Sequence, residues 1–382
     1  MNILCIAFKD FSQKHFGGSK KVICECAALE ELGHKVTLIG RNQSSTVLID
    51  TTGNETVLCG HTRFPVAALR PLVEKKNQMA DVENYIKDKS FDLCYVRYDL
   101  STAGFIGMLK KLKNRCGKLY IEIPTYPYDK EYSGRLNDFR LRIDDFYAKQ
   151  LKRYTDKIVS FYQIPGDSFY GVPVQVVPNG FDFSEISIVN AKDTSEDIHV
   201  AAVSSMRLWH GYERFIEGLH EYYSQGGTRN VYLYLVGNGR EKQKYEALTQ
   251  KYVLQKHVIF CGPLHGEALD ALLEKCNLGV DSLGRHRTGI SVLSSLKSRE
   301  YGAKGIPIIN SCSIDILDDD FRYFLKVPAD ESPVDIQSVI DFYDSVYAGG
   351  DRQKVAREIR QYIEAKSGMT SVMRQIVSDT AN

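Results

Sequence analysis

The chain has 382 residues with 49 Lys+Arg against 48 Asp+Glu, a net charge of +1 and 43% hydrophobic residues. That length is long for one core and comfortable for two. The near-neutral balance excludes a disordered chain and a nucleic-acid protein carrying a large basic excess, so small-molecule chemistry is favoured over a nucleic-acid partner. Nine cysteines, none in a Cys-x-x-Cys pair, suggest neither a disulfide framework nor a structural zinc site and read as reduced, cytoplasmic thiols. "MNILCIAF" has no basic lead or cleavage site, and no stretch approaches the roughly 20 apolar residues of a spanning helix, so nothing marks the chain for export.

In chain order, "NILCIAF" predicts a buried strand. A polar loop ending in Gly17-Gly18 follows, and "SKKVICECAALEELG" places Val22, Cys26, Leu29 and either Leu32 or Ala28 at helical spacing before the strand "KVTLIG". "FDLCYVRY", the helical "AGFIGMLKKLKNRCG" and "KLYIEIP" continue the alternation. A second series begins with "HVAAVSS" and runs through "YERFIEGLHEYYSQG", "VYLYLVG", "REKQKYEALTQKYV", "HVIFCG", "GEALDALLEKC", "LGVDSL", "SSLKSREYGAKG" and "IPIINS". Strand and helix in alternation predict parallel, helix-covered sheets, here in two α/β domains facing across a cleft.

Residues 184 to 198 are polar and aperiodic, which places the domain boundary there, with a first domain over 1–185. That half carries 26 Lys+Arg against 22 Asp+Glu, net +4, and the remainder 23 against 26, net −3. The excess gathers in "MLKKLKNRCGK" and "RLRIDDFYAKQLKRY", two amphipathic stretches that read either as solvated helix faces or as a surface resting on anionic lipid.

Two helix starts break a local rule. An N-terminus carries about half a positive charge and attracts acids, yet one helix opens Ser19-Lys20-Lys21 after two glycines and the other places Lys297 and Arg299 in its first turn. Free first-turn amides hold anions, and glycines let an anion approach, so at least one start reads as a phosphate cradle. For Lys20 and Lys21 taken alone, pointing to solvent is the preferred reading. In the second helix Glu300 sits roughly 6 to 9 Å behind the amides of residues 294–296 at about 1.5 Å rise per residue, about the distance from a pyrophosphate to its ribose. A carboxylate there can accept from vicinal hydroxyls, or it can pair with Lys297 or Lys304.

At this point "LKSREYGAKGIPIINS" resembles the donor-site helix of glycosyltransferase family 4. "FGGSKKVICECAALEELGHKV", "VPNGFD", "RLWHGYERFIEGL" and "LVGNGRE" fall in the order that family shows. The resemblance spans the chain and implies a GT-B architecture of two Rossmann-like domains. The donor domain would cover 186–360, and a helix over 361–382 would return to the first domain. It further implies retaining, metal-independent transfer from a nucleotide-diphosphate sugar, a UDP-sugar by preference, in the manner of bacterial capsule and exopolysaccharide enzymes. Carried over by position, Ser295 and Leu296 offer amides to the pyrophosphate, Arg207 and Lys297 add charge, and Glu300 takes the ribose. Gly17, Gly18 and Asn238 join the donor-binding set. Fixed cations and dipoles assist the leaving nucleotide, with no metal and no further cofactor.

The departures from the family pattern are equally definite. His210 stands where Lys is common, a weaker cation that could still donate to phosphate. The first Glu of the paired-Glu motif falls at Val292, so amides around Gly289 and Ile290, with His286 nearby, are expected to meet the sugar hydroxyls instead. "EIPTYPYD" resembles the exopolysaccharide branch and makes Tyr126, Asp129 and the Arg97-Tyr98 pair acceptor-side candidates, although two prolines and two tyrosines also suit a wall. The implied acceptor is a glycan or lipid-linked glycan met in the cytoplasm, at the inner face of the plasma membrane if the basic helices bind lipid. A dehydrogenase is disfavoured because the first loop lacks three spaced glycines; a sugar-nucleotide epimerase or a degenerate, binding-only transferase are the other readings of the same architecture.

Overall fold

The computed structural model describes residues 1–12, 17–67, 69–128, 135–184, 186–190 and 196–380. Two compact units form: Met1–Asp182 with Met369–Asn382, and Phe183–Gly368.

The first unit runs β1 Asn2–Asp10, α1 Gly17–Glu31, β2 Lys35–Asn42, β3 Ser45–Ile49, β4 Glu55–Cys59, α2 Arg70–Tyr85, β5 Phe91–Arg97, α3 Ala103–Lys113, β6 Cys116–Ile123, α4 Arg135–Ala148, β7 Lys157–Ser160, β8 Ser168–Phe169 and β9 Val172–Val176. Its sheet has the order β4-β3-β2-β1-β5-β6-β7-β9-β8. The parallel centre follows from near-continuous apolar runs such as Ile3–Ala7, which are buried on both faces. β3 and β4 add an antiparallel edge that the strand-helix alternation did not predict, with Leu38 opposite Ile49 and Val47 opposite Val57. Val22, Cys26 and Leu29 of α1 face the core as expected, and Ala28, not the half-buried Leu32, completes the stripe.

The second unit contains β10 Ile198–Val203, α5 Glu213–Ser224, β11 Val231–Val236, α6 Lys242–Lys251, β12 Val258–Gly262, α7 Glu267–Leu273, β13 Leu278–Val280, β14 Val292–Leu293, α8 Leu296–Lys304, β15 Ile308–Asn310, β16 Ser313–Ile314, β17 Phe324–Lys326, α9 Ile336–Tyr347 and α10 Arg352–Ser367. Its main sheet is parallel throughout, ordered β12-β11-β10-β13-β15-β17.

The chain returns to the first unit later than residue 361. Ile359 and Ile363 keep α10 in the second unit, where Ile363 lies so close to Gly302 of α8 that an added Cβ would meet its Cδ1 at 2.2 Å. After Gly368, α11 Met369–Val377 buries Met369, Val372, Met373 and Ile376 beside Val22, Cys26 and Leu29 of α1.

Candidate active site

The second sheet winds outward from β10 in one direction and from β13 in the other, so the strand order reverses between them. Loops leaving the carboxyl ends of two such strands diverge, and α/β sheets take ligands in the crevice this creates. The loop after β10 brings Arg207 and a 3-10 turn, Leu208–His210; the loop after β13 brings Asp281 and a second 3-10 turn, Arg285–Thr288. The two loops are bonded together by Leu283 N to His210 O at 2.8 Å and Gly284 N to Trp209 O at 3.2 Å. Gly211 permits this approach: it has φ of 62°, and a Cβ there would lie 2.7 Å from the Gly284 nitrogen.

α8 enters the same crevice. Ser295 is its N-cap, with extended backbone and a hydroxyl that accepts from Lys297 N at 3.0 Å. The amides of Ser295 and Leu296 precede the first intrahelical hydrogen bond and have no acceptor within the helix. Lys297 turns inward, its Nζ 2.9 Å from a carboxylate oxygen of Asp281 and 2.8 Å from that residue's carbonyl. Asp281 is fully buried, and burial opposes its ionisation. The charge of Lys297 and the hydroxyl of Ser298 outweigh burial and hold its carboxyl at about 2. For Lys297 burial likewise opposes the charge, and Asp281 prevails, leaving the ammonium pKa raised. Arg299, fully buried, reaches Asp315 at 2.7 Å and Ser295 O at 2.9 Å. Both bases of the anomalous first turn therefore have an acid of their own.

Glu300 does not. Lys297 is held by Asp281, and Lys304 by Asp270 at 2.6 Å. The Glu300 carboxylate is exposed and makes no hydrogen bond or ion pair among the described residues. The protein around it still desolvates it enough to raise its pKa, against the charge of Lys297 and with that of Asp281. An accessible, unpaired and incompletely hydrated carboxylate is poised to accept from hydroxyls of a ligand.

His210 is buried, and its Nδ1 lies 2.8 Å from the backbone nitrogen of Arg207. An amide can only donate, so the ring proton sits on Nε2. Burial, reinforced by Lys297 and Arg285, lowers the pKa to about 3. The weak cation expected here is therefore a neutral hydrogen-bond donor.

The guanidinium groups of Arg207 and Arg285 have no hydrogen bond or ion pair among the described residues; Arg285 lies 5.5 Å over the Trp209 ring, with its Nε buried and unpaired. Sequence reasoning missed Arg285. The signal was "GRHRTG", but only the structure shows that Arg287 is spent on Glu213 at 2.8 Å and on Glu331, while Arg285 is left free. Arg207, Arg285 and Lys297 against Asp281 leave three charges against one, net +2, beside a helix start.

This crevice lies within residues 184–310, which match the family model described as Glycosyl transferases group 1. The matched residues fall within the second unit. The fold of the whole chain is that of GT-B glycosyltransferases. It is similar to a glycosyltransferase from Rickettsia africae (TM-score 0.60, 14% identity, 99% of this chain and 97% of that one). It is also similar to the lipopolysaccharide outer core galactosyltransferase WaaB (0.59, 13%, 100% and 99%) and to Anabaena Alr3699/HepE in complex with UDP (0.55, 14%, 100% and 100%). Comparison with curated protein sequences finds no match.

Other expected donor contacts are already engaged. The amides proposed for sugar hydroxyls are spent closing the 3-10 turn: Gly289 N donates to His286 O at 3.0 Å and Ile290 N to Arg285 O at 3.3 Å. His286 directs Nε2 to Glu331 at 2.6 Å. Val292, at the missing-Glu position, is exposed on β14, paired with Ser313. Asn238 is exposed and its carbonyl accepts from Gly239 N at 2.8 Å. Its flanking glycines serve packing, since a Cβ on Gly239 would stand 1.8 Å from Ser205 O. The one Asp-x-Asp spacing of the chain, Asp318–Asp320, has Asp318 bound to Tyr362 at 2.7 Å and to Lys366.

In the first unit, Gly17 and Gly18 start α1, with the Lys9 ammonium where a Gly18 side chain would be, and Lys21 turns to Asn179 at 2.6 Å. Tyr98 is not free for an acceptor: it is buried, with its hydroxyl on Asp144 and Ser101. Tyr126 packs on the core and Tyr128 bonds Asp144, so this loop builds a wall; Asp129 lies outside the described residues. Arg97 is half-buried, 2.8 Å from Glu122 and 3.5 Å from Glu25, lining a small cavity with Tyr95. An acceptor therefore has no access to it without displacing an ion pair.

Burial, then the charge of Glu122, raises the Glu25 carboxyl to about 7 against Lys21 and Arg97. Its folded pKa exceeds the unfolded value of 4.5, so the native state retains a proton that the unfolded chain has released, and stability falls as pH rises from about 4.5 to about 7. Glu25→Gln removes this loss. Urea unfolding at pH 5 and pH 8 should show the wild type losing on the order of 2 kcal/mol more than the variant across that interval; parallel losses in both proteins would contradict the assignment.

Proposed function

We propose that the protein is a retaining, metal-independent glycosyltransferase. It would move a sugar from a nucleotide-diphosphate sugar, by preference a UDP-sugar, to a glycan or lipid-linked glycan acceptor in cell-surface polysaccharide synthesis. One observation carries the reading: at the switch point of the second sheet, a helix start and a net charge of +2 lie one helical turn ahead of an unpaired carboxylate. A pyrophosphate carries a compensating charge of about −2, and its ribose hydroxyls then fall to Glu300. The solved neighbours support the choice of nucleotide and pathway, since one is in complex with UDP and another is a lipopolysaccharide galactosyltransferase.

Departure of the nucleotide builds negative charge on the β-phosphate oxygens. Arg207, Arg285, Lys297, the neutral Nε2–H of His210 and the α8 amides are fixed donors that meet that charge without reorganising. Their sum replaces what a divalent ion supplies elsewhere, so transfer should survive chelation.

No described helix is long and apolar enough to cross a membrane. Phe139 and Phe146 are exposed one heptad apart on α4, with Arg142 also exposed, which supports peripheral contact with anionic lipid on the cytoplasmic side.

The direct test is a thermal-shift series with UDP-, GDP-, dTDP- and ADP-sugars, because ligand binding to the native state raises its stability by mass action. A UDP-sugar should raise Tm by several degrees in the presence of chelator. No shift with any nucleotide sugar, or conversion of the free sugar nucleotide to its epimer without acceptor, would refute the proposal. Arg285→Gln should leave Tm nearly unchanged, because only the contact with the Trp209 ring is lost, and should weaken UDP binding about 10-fold to 100-fold, the value of a hydrogen bond to a charged group. Unaltered UDP affinity would remove Arg285 from the site.

A further inference from the structure

A second convergence of chemically reactive side chains lies in the first unit. Cys59 ends the edge strand β4, His61 follows two positions later, and Asp81 stands on α2. In extended chain, positions i and i+2 share a face, which is why Cys59 and His61 point the same way. Their ligand atoms and a carboxylate oxygen of Asp81 all lie within 4.8 Å of one another. His61 Nε2 is 2.7 Å from Asp81 Oδ2, and Thr46 of β3 donates its hydroxyl to the same oxygen at 2.5 Å. Asp81 is buried, and among the described residues no lysine or arginine pairs with it; His61 is its one basic neighbour.

We infer that Cys59, His61 and Asp81 form a binding site for a divalent cation of the zinc class. A thiolate, an imidazole and a carboxylate together suit zinc or cobalt(II) and not magnesium or calcium, which take oxygen ligands. Metal–ligand bonds of about 2.0–2.3 Å place tetrahedral ligands about 3.3–3.8 Å apart, inside the range these atoms span, with His61 and Asp81 separating by about 1 Å on loading. The balance is simple. The Cys59 S–H bond breaks and an S–metal bond forms, the proton passes to solvent, and the His61 ring proton moves from Nε2 to Nδ1. Thiolate and carboxylate then neutralise the dication, which supplies the counter-charge that buried Asp81 otherwise lacks. The hydroxyl of Thr46, already directed at Asp81, orients that carboxylate from behind. The bound ion would clamp edge strand β4 and the chain leading into α2 onto the helix, where unpaired strand edges otherwise invite association.

The test uses the full-length chain stripped with chelator and titrated with Co2+. One equivalent should bind, release one proton and produce a thiolate-to-cobalt charge-transfer band that Zn2+ abolishes, and Zn2+ should raise Tm. Cys59→Ser should remove the band while its metal-free Tm stays that of the wild type. His61→Ala, which alters a partly exposed side chain, should weaken metal binding and keep the fold. Absence of a stoichiometric band, or a band of full intensity after Cys59→Ser, would overturn the site and leave the three residues as a hydrogen-bonded hub around Asp81.

Discussion

Glu300→Gln should lower kcat/KM for the nucleotide sugar by about 100-fold or more, with Tm unchanged. The carboxylate makes no bond to the described protein, so nothing in the fold depends on its charge. A ribose has two vicinal hydroxyls to donate, and each hydrogen bond to an ionised acceptor contributes about 1.5–3 kcal/mol. The amide of glutamine keeps one acceptor and turns the other position into a donor facing a donor. Steady-state kinetics beside a melting curve separates the cases: near-wild-type kcat/KM at unchanged Tm would remove Glu300 from the donor site. A fall in Tm would instead reveal a structural role.

Lys297→Met should have the largest effect on stability. It strands the Asp281 carboxylate in the interior, and breaking a buried pair from one side costs about 3–5 kcal/mol. Asp281→Asn in the same chain removes the stranded charge, so the double variant should recover most of the lost Tm. Turnover should stay depressed by at least about 10-fold, because Lys297 retains accessible surface in the crevice and no other group replaces its ammonium there. Recovery of turnover along with Tm would show that Lys297 acts by holding Asp281, and that Arg207 and Arg285 suffice for the phosphate.

These two residues show how much of the site was legible. Ser295 as cap, Gly305 as the left-handed stop and a carboxylate one turn into α8 were readable because capping and helical spacing are local. The freedom of Glu300 was not readable, because it depends on Asp281 and Asp270 claiming Lys297 and Lys304 from distant parts of the chain. The same holds for Arg285 and Arg287, two residues apart and chemically identical: Glu331 and Glu213 take one and leave the other. His210 looked like a weak cation until the amide of Arg207, three positions away but folded onto Nδ1, fixed its tautomer. The amides of Gly289 and Ile290 looked available because a 3-10 turn has no strong sequence signature.

By itself the sequence determined the alternation of buried strands and amphipathic helices and the helix whose first turn carries the wrong charges. Each of these is set by periodicity and by backbone chemistry over a few residues. Only the tertiary structure decided which charges remain for a ligand. Ion pairing between buried groups is a competition among residues far apart in sequence, and its outcome depends on distances of a few ångströms that the fold alone establishes. The bases at the start of α8 are thus matched by the acids they hold inside, and the net charge of +2 beside Glu300 comes from Arg207 and Arg285.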